Sequence, residues 1–230
     1  MPHRLEISLK PHLFDADGEG VLRKASDYFG IRLNSVRTVN IITIDANLSK
    51  DQLKTLQKDV FTNPVIQVSS YDPLELDFDW TIWIGYRPGV KDNPGATAIE
   101  AAEDILDIKF GPEEAVYTSK RYCIAGRNLS GSDAELIAGE LLANDIIQQW
   151  RIYGKEDWDP SEGIGIICPK VVLDHTPKVT AISIDSDRTL KRISDQRNLA
   201  LNVKDIPTIR DYFLDSRLRA ERSEMGLTDP

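Results

Sequence analysis

The chain has 230 residues, 41% hydrophobic and 28% charged, with a formal net charge of −9. These values fit a soluble globular protein of one or two domains with a well-buried core. The acidic balance argues against a nucleic-acid partner, which needs a basic face. No apolar run reaches the roughly 20 residues that span a bilayer. The N-terminus has no signal-peptide pattern, so we expect a cytoplasmic protein with no membrane partner.

The first segment alternates apolar and polar residues. Leu5, Ile7 and Leu9 have the period of a half-buried strand, which ends at Pro11 because proline has no N–H to donate. A loop over residues 12–20 leads into an amphipathic helix. The apolar face of that helix comprises Val21, Leu22, Ala25, Tyr28 and Phe29.

Two strands and a helix complete this unit. Residues 36–44 are rich in β-branched residues and predict a second strand. The S-x-x-Q sequence from Ser49 to Gln52 is a capping box, which opens a helix that Asn63 and Pro64 end. Residues 65–71 predict a third strand.

The chain then repeats this order. Pro88 corresponds to Pro11 and Gly95 to Gly18, both at an offset of 77 (88 − 11, 95 − 18), and the strand at 116–124 follows at an offset of 80 (116 − 36). A fixed offset carried by turn residues indicates a duplicated β-α-β-α-β unit. The drift in offset places the insertions in loops, where they cost little.

The second helix pattern also has its counterpart. We predict a capping box at Ser132 to Glu135 (S-x-x-E), and residues 144–148 match residues 63–67 at an offset of 81 (144 − 63). The apolar positions of the first helix correspond to Ala98, Ile99, Ala102, Ile105 and Leu106.

From about Asp157 the pattern changes. Apolar residues at 164–167, continuing at 171–173, and again at 180–184 predict strands. A helix through Leu190 and Ile193 follows, and another begins at Asp205. The tail from Arg217 is charged, and we expect it to be mobile.

Few residues offer chemistry. Cys168 and His175 are seven positions apart and could form a nucleophile–base pair, but a buried structural cysteine is the alternative, and Cys123 is predicted to lie in the core. The two cysteines have no CxxC spacing, which is typical of a reduced protein. Residues 72–79 are acidic, and a solvated linker is favoured over a metal site because no closing carboxylate and turn glycine accompany them.

Basic residues could meet a phosphate. Arg87, Lys91, Lys120 and Arg121 are candidates, with ordinary surface charge as the alternative. PGVKDNPG, residues 88–95, has glycines that permit close backbone approach, and the helix N-terminus after it attracts anions.

Longer stretches carry a family resemblance. LEISLKPHLFDADGE, followed by a helix and SVRTVNIITI, resembles the small PurS subunit of phosphoribosylformylglycinamidine synthase (FGAM synthase). YRPGVKDNPGATAIEAAEDIL with AVYTSKRYCIAG resembles the N-terminal region of the large subunit in fused forms. Residues 199–213 are similar to the linker before the ATP-binding module, and residues 226–230 to the sequence directly preceding that module.

The resemblance implies a part of an ATP-dependent ligase with glutamine as amide donor, which amidates formylglycinamide ribonucleotide in purine biosynthesis. The implied partners are the synthetase and glutaminase parts, and ATP and magnesium are expected for the complete enzyme. The catalytic motifs of the family have no counterpart here. The resemblance therefore assigns no catalytic, cofactor-binding or metal-binding residue to this chain, and we expect the segment to be inactive alone.

We therefore predict an α+β fold in which two tandem PurS-like units, residues 1–75 and 80–156, pack as a pseudo-two-fold dimer with helices on one face. Residues 157–230 form a linker subdomain with a partly mobile tail. The predicted function is a non-catalytic scaffold that bridges the synthetase and glutaminase parts and helps keep ammonia out of bulk water. The alternatives are a tandem ferredoxin-like or ACT-like regulatory module that binds a small molecule, and an independent enzyme using Cys168 and His175.

Overall fold

The fold is α+β, as the sequence predicts. The computed structural model describes residues 2–171 and 181–227, and this part of the chain contains a six-stranded antiparallel sheet and seven α-helices. The chain divides into two compact units, Met1–Val172 and Leu173–Pro230, and the whole sheet belongs to the first.

The sheet has six strands: β1 His3–Leu9, β2 Ser35–Asp45, β3 Gln67–Ser70, β4 Trp80–Tyr86, β5 Ala115–Ala125 and β6 Gln148–Gly154. Their order in the sheet is β3-β1-β2-β5-β4-β6. The three strands of each half are contiguous in this order, and the two long strands β2 and β5 join the halves in the middle.

The hydrogen-bond registers of the two halves are related by the sequence offsets. Leu5 lies opposite Ile42 in the first half, and their counterparts Ile82 and Tyr122 lie opposite each other in the second. The register of a strand pair decides which side chains face the core. The two halves therefore bury equivalent positions.

The joining ladder has its own symmetry. Asn40 of β2 lies opposite Lys120 of β5, and Lys120 is also its counterpart at an offset of 80 (120 − 40). A residue paired with its own counterpart marks a two-fold axis between antiparallel strands. We call this point, between Asn40 and Lys120, the dyad.

Four helices cover one face of the sheet, and they pair across the two halves. The helices are α1 Ala16–Phe29, α2 Lys50–Thr55, α3 Asn93–Leu106 and α4 Gly131–Ile137, with π-helical turns Leu56–Phe61 and Ala138–Leu142 extending α2 and α4. Helix α1 packs with α4, and α2 packs with α3. Between the two pairs the sheet is open at the dyad, where Asn40 is exposed.

The opposite face is covered without helices. Two segments, residues 72–79 and 158–167, pack over an apolar cluster that includes Val39, Ile41 and Trp83. We call them the covering segments. Strand β1 is consequently buried on both faces, with Leu5 and Ile7 on one and Glu6 and Ser8 on the other. The prediction that β1 is half-buried is therefore wrong.

Several predicted boundaries are also wrong. The third strand begins at Gln67, because Val65 and Ile66 belong to a turn. Helix α4 is capped by Ser130, whose capping box closes with Asp133, so the box predicted at Ser132 is displaced by two residues.

The apolar helix face is narrower than predicted. Tyr28 and its counterpart Ile105 are both exposed, since they lie past the edge of the packed stripe, whereas the neighbouring Leu106 packs on the core. The structure has no strand at residues 164–167 or 181–184. Ile164 is instead buried against the sheet as part of the covering segment 158–167. The predicted strand residues 172, 173 and 180 lie outside the described residues.

The second unit is helical. Two of its three helices pack around a small core of Ile184, Leu190 and Ile206. The third helix packs against the second and lies almost entirely in the tail that was predicted to be mobile. No helix in residues 2–171 or 181–227 has the length and apolarity to cross a membrane. The helices are α5 Asp187–Arg197, α6 Asp205–Leu214 and α7 Ser216–Glu224.

Candidate functional site

The structure describes only one residue of the cysteine–histidine pair that the sequence suggested. Cys168 is half-buried, and His175 lies outside the described residues. Burial raises the pKa of the Cys168 thiol, and the nearby Asp45 carboxylate raises it further. A nucleophile needs the thiolate, which a raised pKa disfavours at neutral pH. Cys123 is buried in β5, as predicted.

The glycine-containing loop at 88–95 ends in a helix cap. The Asp92 carboxylate accepts hydrogen bonds from Gly95 N (2.7 Å) and Thr118 N (2.5 Å), and from the Thr118 hydroxyl. It occupies the N-terminus of α3, where the sequence suggested an external anion. A carboxylate at this position satisfies helix N–H groups and complements the helix dipole.

The first half contains the same cap. Asp15 accepts hydrogen bonds from Gly18 N (2.9 Å), Thr38 N (2.7 Å) and the Thr38 hydroxyl (2.9 Å). A Cβ atom at Gly18 or Gly95 would lie 2.3 Å from a carbonyl oxygen of the neighbouring central strand. The repeated aspartate and glycine thus hold each helix tightly on the sheet.

The structure does not bring the candidate phosphate-binding residues together. Arg87 Nε donates to the Asp145 and Gln148 carbonyls at 2.9 and 2.8 Å, and Lys91 is exposed. Lys120 and Arg121 lie on opposite faces of β5, because consecutive strand residues alternate. Lys120 faces the helices, and Arg121 is buried beneath the covering segments.

The acidic stretch 72–79 is only partly solvated. Its acidic residues are exposed, as predicted for a solvated linker. Its apolar residues Leu74, Leu76 and Phe78 alternate with them and pack on the sheet, which the prediction did not include. Asp77 pairs with Lys155, and the Asp79 carboxylate accepts a hydrogen bond from Gly126 N. Among the described residues, no group of three or more His, Cys, Asp and Glu could hold a metal ion.

A buried charge cluster fixes this covered face. The Glu6 carboxylate lies 2.8 Å from Arg121 Nη2 and 3.4 Å from Arg4 Nε, and all three side chains are buried. Arg4 Nη1 donates to two carbonyl groups of the covering segment at 2.7 Å. Burial lowers the pKa of Arg4, against the opposing effect of Glu6. The cluster ties both halves of the sheet to residues 158–167.

Sequence reasoning missed this cluster because charged residues alternating with apolar ones predict a solvated face. The signal was weak: Glu6 alone is an ordinary surface residue by pattern. The covering segments are far from β1 in sequence, and no hydrophobic periodicity predicts that they pack over it. Only the fold brings Glu6 and Arg121 together.

A matched pair of turns projects apolar side chains from the edges of the sheet. In residues 63–67 the Asn63 side chain accepts a hydrogen bond from Val65 N (3.0 Å), and the Gln67 side chain accepts one from Asn63 N (2.8 Å). Lys10 Nζ donates to the carbonyl of residue 64. Val65 is consequently held outward with 76% of its surface exposed.

The turn at 144–148 repeats these contacts. Ile146 N donates to the Asn144 side chain (3.1 Å), and Asn144 N donates to the Gln148 side chain (2.9 Å). Arg87, the counterpart of Lys10, donates to the carbonyl of residue 145. Ile146 is 80% exposed. We call residues 63–67 and 144–148 the edge turns.

The open part of the helix-covered face forms a cleft of about 460 Å³. It lies at the dyad, with α3 on one side and the π-helical turn after α4 on the other. Its volume falls in the range of small-molecule sites, about 300–1,000 Å³. We call it the dyad cleft.

Comparison with protein-family models gives no match, and comparison with curated proteins gives none either. The features of the chain that bear on its function are the matched edge turns, the dyad cleft and the resemblance in its sequence.

Proposed function

We propose that the chain is the non-catalytic scaffold and docking part of an FGAM synthase, with its two halves acting as PurS-like units. Its partners would be the synthetase and glutaminase parts, and ATP and magnesium would be needed by the complete enzyme. In this role the chain bridges the two parts and helps keep ammonia from bulk water. The observation that carries the proposal is the pair of edge turns.

The edge turns support docking because each holds one apolar side chain, Val65 or Ile146, with more than three quarters of its surface exposed. The asparagine and glutamine side chains of both turns accept hydrogen bonds from backbone groups within the turn. Val65 and Ile146 instead project into solvent. Burying such a side chain in a complex contributes about 1.5–3 kcal/mol. The second apolar residues, Ile66 and Ile147, are 40% and 39% exposed and widen each patch.

The equivalence of the two edge turns also restricts the shape of the partner assembly. Two equivalent patches on opposite edges of one sheet suit a partner assembly that touches both edges. A bridging scaffold needs two contact surfaces, and the two edge turns supply one at each edge of the sheet. The six-stranded sheet supplies a rigid separation between them.

The test is association in solution. The full chain is mixed with the synthetase and glutaminase polypeptides, and complexes are separated by gel filtration. We expect co-elution, and we expect Val65→Asp with Ile146→Asp to abolish it, because a charge buried in an apolar contact is costly. Val203→Asp is the control, since Val203 is 88% exposed outside the edge turns. Co-elution unaffected by the double change contradicts the proposal.

The dyad cleft favours a second candidate function, a regulatory module that binds a small molecule between its repeats. A ligand at 100 times its dissociation constant adds about 2.7 kcal/mol of stability. A thermal-shift screen with amino acids and nucleotides is therefore expected to raise Tm if this function is correct. Co-elution with the synthase parts, without any ligand-induced shift, would favour the scaffold.

A further inference from the structure

The dyad cleft has polar residues where the strand pattern demands apolar ones. Along the helix-covered face of β2, Val36 and Ile44 are buried, yet Asn40 between them is exposed. Lys120 occupies the equivalent place on β5, between Val116 and Ile124. Polar residues at the centre of a sheet are unfavourable for packing unless another role retains them.

The polar groups of the cleft are mostly unused. Within residues 2–171 and 181–227, the Asn40 side-chain amide and the Tyr86 and Tyr122 hydroxyls make no hydrogen bond, although all three residues line the cleft. Gln148 uses only its side-chain oxygen, in the edge turn. Beneath them Ile42, with its neighbours, gives the cleft an apolar floor. This combination of an apolar surface with a few convergent polar groups is typical of ligand sites.

Lys120 supplies a positive charge. Burial opposes its charged form, but the hydrogen bond from Lys120 Nζ to Asp17 (2.8 Å) and nearby acidic groups raise its pKa above the ordinary value. The ammonium group also lies 5.9 Å from the centre of the Tyr122 ring. Asp17 is itself mostly exposed, so an incoming anion can replace it without leaving a buried carboxylate unpaired.

We propose that the dyad cleft binds one small aromatic anion, with its charged group at Lys120 and its ring over the apolar floor. The amides of Asn40 and Gln148 would bond polar edges of the ring. This inference does not require the synthase role, and it specifies the ligand chemistry of the regulatory alternative.

The matching space in the first half argues for a single site. It measures about 260 Å³ and is lined by the carboxylates of Asp15 and Asp17, and Asn40 stands at its end towards the dyad. The position equivalent to Lys120 is Asn40, so no lysine of the first half supplies a positive charge for an anion in this space. The expected stoichiometry is therefore one anion per chain, despite the duplication.

The test measures binding of 8-anilinonaphthalene-1-sulfonate by fluorescence and calorimetry, with benzoate and phenyl phosphate as competitors that separate carboxylate from phosphate ligands. We expect one site per chain. Lys120→Asn, which places the first-half residue in the second half, should weaken binding at least tenfold. Lys54→Asn, an exposed lysine on α2, should leave it unchanged.

Ala98→Phe separates the cleft from general charge effects. Ala98 lines the wall formed by α3, so the larger ring should block binding while Lys120 remains. Each variant is compared with the wild type by its urea midpoint to exclude unfolding. No binding by the wild type, several sites per chain, or equal binding by the folded Lys120→Asn or Ala98→Phe variants would overturn the inference. Loss of binding in Lys120→Asn with intact co-elution separates this site from the docking proposal.

Discussion

Gly18→Ala is expected to destabilise the chain, whereas Gly20→Ala in the same helix is expected to stabilise it. A Cβ at position 18 would lie 2.3 Å from the Val36 carbonyl oxygen, and a Cβ at position 20 would meet nothing within 4 Å. Contacts below 3.0 Å are essentially absent from real structures, so α1 must move at least about 0.7 Å (3.0 − 2.3) off β2. The Asp15 cap moves with it.

The two substitutions are expected to change the free energy of unfolding in opposite directions. Overpacking costs about 1–3 kcal/mol, which outweighs the roughly 0.5–1 kcal/mol that alanine gains over glycine in a helix. Gly20→Ala keeps only that gain. Each kcal/mol corresponds to roughly 2–4 °C in Tm for a unit of this size.

The assay is urea unfolding followed by far-UV circular dichroism and tryptophan fluorescence. We expect a lower midpoint for Gly18→Ala and for its counterpart Gly95→Ala, where the same 2.3 Å contact occurs. Gly20→Ala should have a higher midpoint than the wild type. If Gly18→Ala and Gly20→Ala shift the midpoint equally, the close helix–sheet contact is not a determinant of stability.

Two further predictions concern buried polar groups. Glu6→Gln should lower the free energy of unfolding by about 3–5 kcal/mol because it leaves buried Arg121 uncompensated, whereas exposed Glu19→Gln should change it by less than about 0.5 kcal/mol; equal urea midpoints would contradict the buried charge cluster. Burial raises the pKa of Tyr71 to about 12. Because the folded pKa exceeds the unfolded value of about 10, stability from this group is complete below pH 10 and is lost as pH rises towards 12. Burial also raises the pKa of Tyr117 and Tyr122, so absorbance titration at high pH should show several late tyrosines, and Tyr71→Phe should remove the one that titrates near pH 12; an unchanged titration curve in Tyr71→Phe would contradict the assignment.

The duplicated architecture could be predicted from the sequence because turn residues and apolar periodicity encode it locally. Pro11 and Pro88, and Gly18 and Gly95, recur at one offset, and that offset also relates the registers of β1 and β4. A glycine retained at equivalent helix positions reflects the close approach of a strand. These constraints act within a few residues, so a single sequence carries them.

The errors have different physical origins. Ser130 and Ser132 both begin a possible capping box, and only the offset of 81 from Ser49 (130 − 49) distinguishes them. Burial of Glu6 depends on residues 72–79, whose Leu74 N donates to its carboxylate from 68 positions away, and on residues 158–167 farther along the chain. Local alternation does not encode either contact. The dyad cleft exists because the pair α1–α4 and the pair α2–α3 leave the sheet uncovered between them. The sequence does not encode that gap, so Asn40 and Lys120 were not recognised as lining one site.

The scaffold account is tested most directly by measuring ATP-dependent amidation of formylglycinamide ribonucleotide in a reconstituted mixture. The purified chain alone should show no turnover, and adding it to the synthetase and glutaminase parts should restore the full rate. The variant with aspartate at both edge turns should fail to restore it. Turnover by the chain alone, or a full rate without it, would contradict the account.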